Sequence, residues 1–324
     1  MTPLQRGEAA SLGVIGTAAF LPGAPVGNAE IAGRSGASLD WISERTGVMT
    51  RHIAMPDERT SDLAAAAGQL AMADTQVRPD MLVLATVTAD QPVPATACVV
   101  QDRLGIRGTP AVDVNAACSG FIYALVSAWG ASCVGVARSP LVIGADAFTR
   151  FVDPTDRRTA PLFGDGAGAV MLGPVPQGYG ILAADLWADG SRADLAVVPP
   201  PSGLVSADPW FRMDGRAVRQ VVMEMGPKIL QSSLDSAGIK LEQLDRIIVH
   251  QANPRLVEAL AESMGLDEHV VPRHGVHTGN IASASIPVSL AISNKERPFA
   301  RGAYVALVAI GAGMTAGSVI LRWY

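Results

Sequence analysis

The sequence has little cysteine and no excess of positive charge. Its 324 residues include only three cysteines, Cys98, Cys118 and Cys133, which lack the spacing of a metal site and cannot all pair with one another. That usage is typical of a protein in a reducing cytoplasm. The formal net charge is −5, whereas general nucleic-acid binding needs a basic surface. The composition therefore argues against nucleic acid as a partner.

The chain also lacks hydrophobic runs of the membrane type. Residues 12–22 are apolar, but Glu8 precedes them and glycines interrupt them, so they predict a first strand rather than a cleaved signal peptide. Residues 302–321 carry no charge over a length sufficient to cross a bilayer. Their centre, 311–317, is glycine-rich, and the flanks are short and rich in β-formers. This pattern predicts two buried strands joined by a glycine turn, and no membrane span.

What the chain does contain favours a large α/β core. Hydrophobic residues make up 49% of it, alongside 33 glycines and 22 prolines, which suits a sizeable core with many tight turns. Predicted strands and helices alternate, and the pattern restarts near 174–180. Two comparable halves, 1–177 and 178–324, predict stacked α/β layers, five in all if the halves pack together.

The periodic segments predict most of the elements. Residue Ser61 is predicted as the N-cap of its helix, and 199–209 as a proline-rich surface loop. The predicted helices cover 38–45, 61–73, 95–104, 215–237, 254–264 and 283–294, and the predicted strands cover 81–88, 140–144, 181–187, 246–250, 304–310 and 318–323.

A glycine-rich run at 163–172 contains a GxGxA-like pattern that invites a dinucleotide-binding interpretation. A phosphate-binding fingerprint needs a helix directly after its glycines, because the phosphates sit on the helix N-terminus. Here β-forming residues follow the glycines instead. We therefore expect a strand at this position and no nucleotide site.

Residues 113–121, Asp-Val-Asn-Ala-Ala-Cys-Ser-Gly-Phe, set a single cysteine between a predicted strand and a predicted helix. Unpaired backbone N–H groups and the positive end of the helix dipole favour a thiolate at such a position. The small neighbours of Cys118 let a substrate carbonyl approach closely. A buried structural thiol is the alternative, and this stretch alone does not decide between the two.

Two later stretches carry further polar side chains at strand ends. His250 ends the apolar run Ile-Ile-Val-His and precedes a predicted helix, so it lies where side chains reach a ligand. Asn280 lies among small residues in 277–285, on another approach to a helix. Taken singly, the histidine is equally explained as a hydrogen-bonded core residue, and the asparagine as a turn residue after glycine.

Together these three stretches resemble β-ketoacyl-acyl-carrier-protein synthase III, of the thiolase-like superfamily. The resemblance implies a thiolase-like α/β fold with two duplicated βαβαβαββ halves in a five-layered αβαβα core, usually as a homodimer. It also implies that Cys118, His250 and Asn280 form a catalytic triad. The similarity runs nearly end to end, with further matching segments at 41–47, 153–157, 163–168 and 311–317.

The implied reaction is a decarboxylative Claisen condensation. Cys118 would take an acyl group from acyl-coenzyme A, because a thiolate is a suitable nucleophile for a thioester. Malonyl-acyl carrier protein would then lose carbon dioxide, with His250 and Asn280 donating hydrogen bonds to the enolate oxygen. The backbone N–H groups of Cys118 and Gly313 are the expected oxyanion hole. No permanently bound cofactor is implied, since the coenzyme A thioester is a substrate.

The resemblance extends to contacts with coenzyme A. Trp41 and Arg157 match the pair that sandwiches the adenine, Arg45 matches a phosphate contact, and Asn253 matches a hydrogen bond to the pantetheine arm. Each also has an ordinary explanation, since Trp41 would serve equally as a surface anchor and either arginine as a solvated charge.

Several positions depart from the family pattern. Val93 stands where acetyl-primed relatives often carry an aromatic side chain at the pocket floor, reaching across the dimer, so we expect a starter longer or more branched than acetyl.

Arg255 keeps a basic contact for the carrier protein, but Glu262 and Ser263 replace later basic residues of the same helix. Arg219 stands where an aromatic residue is common. We therefore expect a weaker or shifted docking patch, such as one for a dedicated polyketide carrier.

Two other enzyme classes compete with condensation. One is an acyltransferase that uses Cys118 to move an acyl group without forming a carbon–carbon bond, and retention of both His250 and Asn280 argues against it. The other is a papain-like protease, because Cys118 precedes His250 by 132 residues. The Cys-Gly-x-Cys-Trp signature of that family is missing around Cys118.

The remaining histidines and cysteines predict no metal site. The histidines at 269, 274 and 277 lie close together but lack a metalloenzyme pattern, so we interpret them as loop residues. Cys98 and Cys133 fall on apolar helical stretches and are interpreted as structural.

Overall fold

A computed structural model describes residues 11–199 and 209–324 of the chain. The predicted proline-rich loop at 199–209 lies, apart from its two end residues, outside the described residues. The helices are α1 (Asn28–Ser35), α2 (Leu39–Thr46), α3 (Thr60–Thr75), α4 (Thr96–Arg103), α5 (Gly120–Cys133), α6 (Gly215–Ala237), α7 (Pro254–Ser263), α8 (Gly275–Thr278) and α9 (Ser285–Glu296).

Strands alternate with these helices along the chain, as the hydrophobic pattern predicts. They are β1 (Ser11–Phe20), β2 (Val26–Gly27), β3 (Thr50–Arg51), β4 (Met81–Ala85), β5 (Ala111–Val114), β6 (Pro140–Asp146), β7 (Gly166–Val175), β8 (Gly180–Ala188), β9 (Ala196–Val197), β10 (Arg212–Met213), β11 (Leu244–Val249), β12 (Tyr304–Gly311) and β13 (Thr315–Arg322).

Two sheets form the body of the molecule. The first has the strand order β1-β7-β6-β4-β5, with β4 parallel to β5 and β6. The second has the order β11-β12-β13-β8, with β11 parallel to β12. Strand β6 is buried at every position, which explains its nearly continuous apolar sequence, since a strand covered on both faces does not alternate.

Helices form three layers around these sheets. Helix α3 packs on the outer face of the first sheet, and α6 on the outer face of the second. Helices α5 and α9 each contact strands of both sheets, so they form the layer between them. A large hydrophobic cluster, including Val83, Ile122, Leu290 and Leu307, fills this central region. The predicted five-layered αβαβα arrangement is thus confirmed.

Local signals account for most element boundaries. The Asp214 side chain accepts hydrogen bonds from the N–H groups of Arg216 and Ala217 at the start of α6, and Gly238 ends that helix in the left-handed region. The strand predicted at 81–88 ends at Ala85, and the predicted N-cap at Ser61 is wrong. Ser61 is fully buried within α3, and the Asp62 carboxylate caps that helix by accepting from the Arg59 N–H at 2.7 Å.

The glycine-rich segments form strands, as predicted. The run at 163–172 leads into β7, with no helix after its glycines. The uncharged C-terminal segment forms the antiparallel pair β12 and β13. In the described ranges, no helix is both long enough and apolar enough to cross a membrane.

Candidate active site

Cys118 lies in the turn between β5 and α5. Its neighbour Ala117 has a φ of +48°, a left-handed conformation that costs a residue with a Cβ atom about 1–2 kcal/mol. The Asn115 side chain holds this turn by accepting a hydrogen bond from the Ala117 N–H at 3.1 Å. Cys118 therefore sits on a strained turn that follows the edge strand β5.

The turn between β12 and β13 presses against the backbone of Cys118. A Cβ atom on Gly311 would lie 2.8 Å from the nitrogens of both Cys118 and Ser119, so only glycine fits. The Ser119 and Thr315 hydroxyls lie 2.8 Å apart, and Thr315 also donates to the Ala116 carbonyl at 3.1 Å. These contacts fix the two turns against each other.

His250 directly follows β11 and is 5% exposed. Its backbone N–H donates to the Val308 carbonyl at 2.8 Å, which anchors it to the neighbouring strand. Its Nδ1 is buried without a hydrogen-bond partner among the described residues. Burial lowers the pKa of His250 to about 4, because a charged imidazolium is costly away from water. The side chain is therefore neutral at physiological pH.

The segment carrying Asn280 is fixed by backbone and side-chain hydrogen bonds. Its N–H donates to the Leu162 carbonyl at 2.8 Å, and its carbonyl accepts from the Gly164 N–H at 3.0 Å. The side-chain Oδ1 accepts from the Ala282 N–H at 2.9 Å. Because an N–H requires an acceptor, this bond fixes the amide orientation. The Nδ2 group is left to donate to a bound molecule.

The surroundings of Cys118 disfavour a charge on its sulfur. Burial raises its pKa to about 12, and the nearby Asp146 carboxylate adds to the rise. Desolvation therefore outweighs the stabilisation of a thiolate that was expected at the helix N-terminus. A neutral thiol and a neutral imidazole face the cavity together.

One cavity of about 1680 Å³ brings the three predicted side chains together. Cys118, His250 and Asn280 all line it, although no hydrogen bond links their side chains directly within the described residues. Aromatic rings form an apolar wall, with Phe148 stacked on Phe163 at 4.5 Å between ring centroids. The cavity therefore combines an apolar wall with a sulfur and two hydrogen-bond donors.

The exposed end of the cavity, here called the mouth, is lined by Trp41, Arg45, Asn253, Arg255 and Arg219. The Arg157 guanidinium lies 5.9 Å from the centre of the Trp41 ring, within the range of a cation–π contact.

Two of the mouth residues have structural partners of their own. The Asn253 Oδ1 caps α7 by accepting from the N–H groups of Arg255 and Leu256. The Arg255 side chain pairs with Glu258 at 3.1 Å. Both positions therefore combine a local stabilising contact with access to the cavity.

Three predicted site residues do not line the cavity. Arg157 reaches it only through its contact with Trp41. Gly313 is replaced in the lining by its neighbours Ala312 and Met314. Val93 is 81% exposed on the surface, so any role in an acyl pocket requires a second chain.

Asp146 is the main residue that sequence reasoning missed. It is fully buried, and its carboxylate is close enough to Cys118 to influence the thiol. The available signal was a lone acidic residue at the end of the apolar strand β6, since carboxylates are almost never fully buried without a specific set of partners.

Two of the remaining histidines contact hydroxyl groups, and His277 lies in α8 rather than in the predicted loop. The His274 Nε2 lies 2.8 Å from the Ser293 hydroxyl, and the His277 Nδ1 lies 3.4 Å from the Thr50 hydroxyl. Across 11–199 and 209–324, no group of three or more His, Cys, Asp or Glu residues is arranged to hold a metal ion. Cys98 and Cys133 lie on helices as predicted, but both are exposed, so they are not part of the core.

Comparisons with known proteins identify the family of the chain. Residues 112–190 match the family described as 3-oxoacyl-[acyl-carrier-protein (ACP)] synthase III, and residues 234–323 match its C-terminal family. The chain is 41% identical over 316 residues to the β-ketoacyl-[acyl-carrier-protein] synthase III of Neisseria gonorrhoeae, covering 96% of this chain and 98% of that protein. A homologue of the same name from Rhodospirillum rubrum is 41% identical over 323 residues, covering 95% and 98%.

Solved structures give the same result. The crystal structure of 3-oxoacyl-(acyl carrier protein) synthase III from Pseudomonas aeruginosa superimposes with a TM-score of 0.91 at 40% identity, covering 97% of this chain and 98% of that one. The priming β-ketosynthase of the R1128 polyketide pathway gives a TM-score of 0.90 at 29% identity, covering 99% of both chains. The chain belongs to the β-ketoacyl-acyl-carrier-protein synthase III family of condensing acyltransferases.

Proposed function

We propose that this protein catalyses decarboxylative condensation of an acyl group with malonyl-acyl carrier protein, at a site formed by Cys118, His250 and Asn280. The observation that carries the proposal is the shared cavity that these three side chains line. Simple acyl transfer needs only the sulfur and an oxyanion hole. Two further hydrogen-bond donors are required only when an enolate must be stabilised.

In the first half-reaction, Cys118 attacks the carbonyl carbon of acyl-coenzyme A. A sulfur–carbon bond forms to the enzyme, the thioester bond to coenzyme A breaks, and the thiol proton leaves with the coenzyme A thiol. Because burial raises the pKa of Cys118, the proton must be lost as the substrate binds rather than beforehand. Acylation then removes the titrating group from the site.

Backbone N–H groups stabilise the oxyanion of that step. The N–H of Cys118 is the first donor, as expected from the sequence. The N–H of Gly313 is the expected second donor, and its neighbours in the same turn, Ala312 and Met314, line the cavity. Each such donor typically lowers the barrier by about 3 kcal/mol.

In the second half-reaction, the malonyl thioester loses carbon dioxide and becomes an enolate. Its oxygen accepts hydrogen bonds from the His250 Nε2–H and the Asn280 Nδ2–H. A neutral imidazole suits this role, and the low pKa of His250 keeps it neutral. The enolate carbon then attacks the acyl-cysteine and releases a β-ketoacyl thioester two carbons longer.

The mouth supplies the contacts for coenzyme A. Trp41, with Arg157 beside its ring, is suited to hold the adenine. Arg45 offers a positive charge for a phosphate. Asn253 retains an amide N–H for the pantetheine arm, although this group also donates weakly to the Arg45 carbonyl at 3.4 Å. No permanently bound cofactor takes part in these steps.

A homodimer completes the acyl pocket in this proposal. Strand β5 is at the edge of its sheet, with Val112 exposed, and an unpaired edge is suited to pairing with a second copy. The Asp113 carboxylate on β5 accepts from the N–H groups of Thr96 and Ala97 at 2.7 Å. This bond ties the edge to the loop carrying Val93, which would reach the partner's cavity.

The starter group follows from the small side chain at position 93. Valine leaves more room than an aromatic ring, so we expect a starter longer or more branched than acetyl, used to prime fatty-acid or polyketide synthesis. The carrier protein would dock beside Arg255 and Arg219. Because Glu258 pairs with both Arg255 and Arg273, the positive charge offered there is partly neutralised, which supports a weak or specialised docking patch.

The chain organisation is proposed as two thiolase-like halves, 1–177 and 178–324, in a cytoplasmic enzyme. Strands of the first sheet end at Val175 and those of the second begin at Gly180, which supports a boundary between them. The exposed free thiols of Cys98 and Cys133 suit a reducing compartment.

The proposal is tested by mixing the protein with a series of acyl-coenzyme A thioesters and malonyl-acyl carrier protein. We expect carbon dioxide to be released at the same rate as a β-ketoacyl product forms. The rate should be highest for an acyl group longer or more branched than acetyl. Transfer of an unchanged acyl group to the carrier, without carbon dioxide release, would establish the acyltransferase alternative instead. A sharp optimum at acetyl would contradict the starter proposal alone.

A further inference from the structure

The Asp146 carboxylate is buried beside the active site without a cation. It ends strand β6 and is 0% exposed. In the described part of the chain, no lysine, arginine or histidine lies within ion-pair distance of it. Burial raises the pKa of Asp146, and hydrogen bonds from Ser283, Val87 and Thr86 oppose that rise by favouring the ionised carboxylate. Its partners therefore indicate what the structure uses it for.

The first carboxylate oxygen binds the chain that follows β4. Oδ1 accepts from the N–H groups of Val87 at 2.8 Å and Thr88 at 3.1 Å. It also accepts from the hydroxyl groups of Thr86 and Thr88, both at 3.0 Å. Val87 itself lines the active-site cavity. This oxygen therefore fixes the carboxylate to the first half of the molecule.

The second oxygen binds the segment that carries Asn280. Oδ2 accepts from the Ser283 N–H at 2.8 Å and from the Ser283 hydroxyl at 2.5 Å. Ser283 follows Ala282, whose N–H donates to the Asn280 Oδ1. Ala282 has a φ of +41°, a conformation that persists in a residue with a Cβ atom only when its surroundings hold it.

We propose that Asp146 is a positioning residue for the condensation step, which holds the Asn280 amide toward the cavity through Ser283 and the strained Ala282 turn. This inference rests on the proposed function of Asn280. The carboxylate connects two segments that are distant in sequence, one from each half of the chain. All six hydrogen bonds to it come from N–H or O–H donors, an arrangement that an amide in its place cannot satisfy at both oxygens.

A positioning role for Asp146 would affect the two half-reactions to different extents. Acylation uses Cys118 and its oxyanion hole, which are held by Asn115, Gly311 and Thr315. The enolate needs Asn280. A change at Asp146 should therefore affect condensation far more than acylation, whereas a purely structural change lowers both in proportion to the folded fraction.

The test is Asp146→Asn, measured in both half-reactions. Acylation of Cys118 by acyl-coenzyme A, followed by intact-protein mass spectrometry, is expected to stay within about threefold of wild type or to rise, because loss of the Asp146 charge removes one contribution to the raised pKa of the thiol. Carbon dioxide release from malonyl-acyl carrier protein should fall by about 30-fold or more, in kcat rather than KM, because a misplaced donor loses most of its effect on the transition state. Equal losses in both half-reactions, or no loss in either, would overturn the proposal.

Two further variants keep the test decisive. Ser283→Ala removes one donor to Asp146 while the backbone N–H remains, so it should shift the same ratio in the same direction by a smaller factor, even if Asp146→Asn does not fold. Asp80→Asn is the control, because the Asp80 carboxylate likewise accepts from two backbone N–H groups, those of Arg138 and Ser139, but Asp80 is not part of the cavity lining. It should leave the ratio unchanged. A wild-type protein that releases no carbon dioxide would overturn the proposed function itself, and this inference with it.

Discussion

The inner end and the mouth of the cavity are built from different kinds of interaction. At the inner end, Cys118, His250 and Asn280 are fixed by backbone hydrogen bonds, tight glycine contacts and strained turns. At the mouth, long side chains such as Arg255 remain half exposed and are held by ion pairs with neighbours. The difference indicates that chemistry depends on rigid placement, while substrate capture tolerates mobile side chains.

The largest effect is expected from a methyl group added at the inner end. Gly311→Ala would place its Cβ against the nitrogens of Cys118 and Ser119, so the nucleophile and its oxyanion donor must both move. We expect overall activity to fall by at least about 10³-fold, since misplaced groups lose most of their contribution. Steady-state kinetics measure this loss. Gly33→Ala is the control, because nothing lies within 4 Å of the added atom, and an equal loss there would contradict the account.

Removing the hydrogen-bond donor of Asn280 should slow condensation without slowing acylation. Asn280→Ala is expected to lower carbon dioxide release by about 10²-fold or more, because one hydrogen bond to a developing oxyanion contributes about 3 kcal/mol. Acylation of Cys118 should change little. Single-turnover assays of each half-reaction measure the split, and a parallel loss in both would show that Asn280 acts on the fold rather than on the enolate.

The burial of His250 should make stability depend on pH. Its pKa is about 4 when folded and about 6.5 when unfolded. As pH falls through this window, the unfolded state binds a proton that the folded state does not bind. The free energy of unfolding therefore falls by about 3 kcal/mol and then levels off. In denaturant unfolding at several pH values, His250→Asn should lose that part of the dependence. An unchanged pH profile would mean that the imidazole is not desolvated.

The smallest effect is expected at the mouth. Trp41→Ala removes the ring beside Arg157 and should raise KM for acyl-coenzyme A by about fivefold, equivalent to about 1 kcal/mol, with little change in kcat. Trp41→Phe is the conservative control and should recover part of the affinity. A large fall in kcat would contradict the division between a rigid inner end and a tolerant mouth.

The hydrophobic pattern was sufficient to predict the alternation of strands and helices, because these elements have local signatures, whereas the thiolase-like fold and the proposed triad came from the family resemblance of three stretches taken together. Helix α6 carries a side-chain cap and a terminal glycine, and β6 is a continuous apolar run. His250 directly follows the last residue of β11, and Cys118 lies in the short turn between β5 and α5. These signals depend on neighbouring residues only, so they are visible before any tertiary contact is known.

Other features depended on contacts between distant segments. Asp146 acquires its role through Ser283, which is 137 residues away in the chain. The high pKa of Cys118 comes from burial by segments of both halves, which no local pattern reports. The replacement of Gly313 by Ala312 in the cavity lining is a one-residue difference within a turn, where sequence alone does not fix which residue faces inward.

The most direct test of the account is a pulse–chase experiment on the intact protein. The protein is first acylated with an accepted acyl-coenzyme A, freed of excess substrate, and then mixed with malonyl-acyl carrier protein. The account predicts that mass spectrometry finds the acyl group on Cys118 after the pulse, and that the chase removes it as a β-ketoacyl-carrier product two carbons longer. An acyl group that persists on the enzyme, or reaches the carrier unchanged, would contradict it.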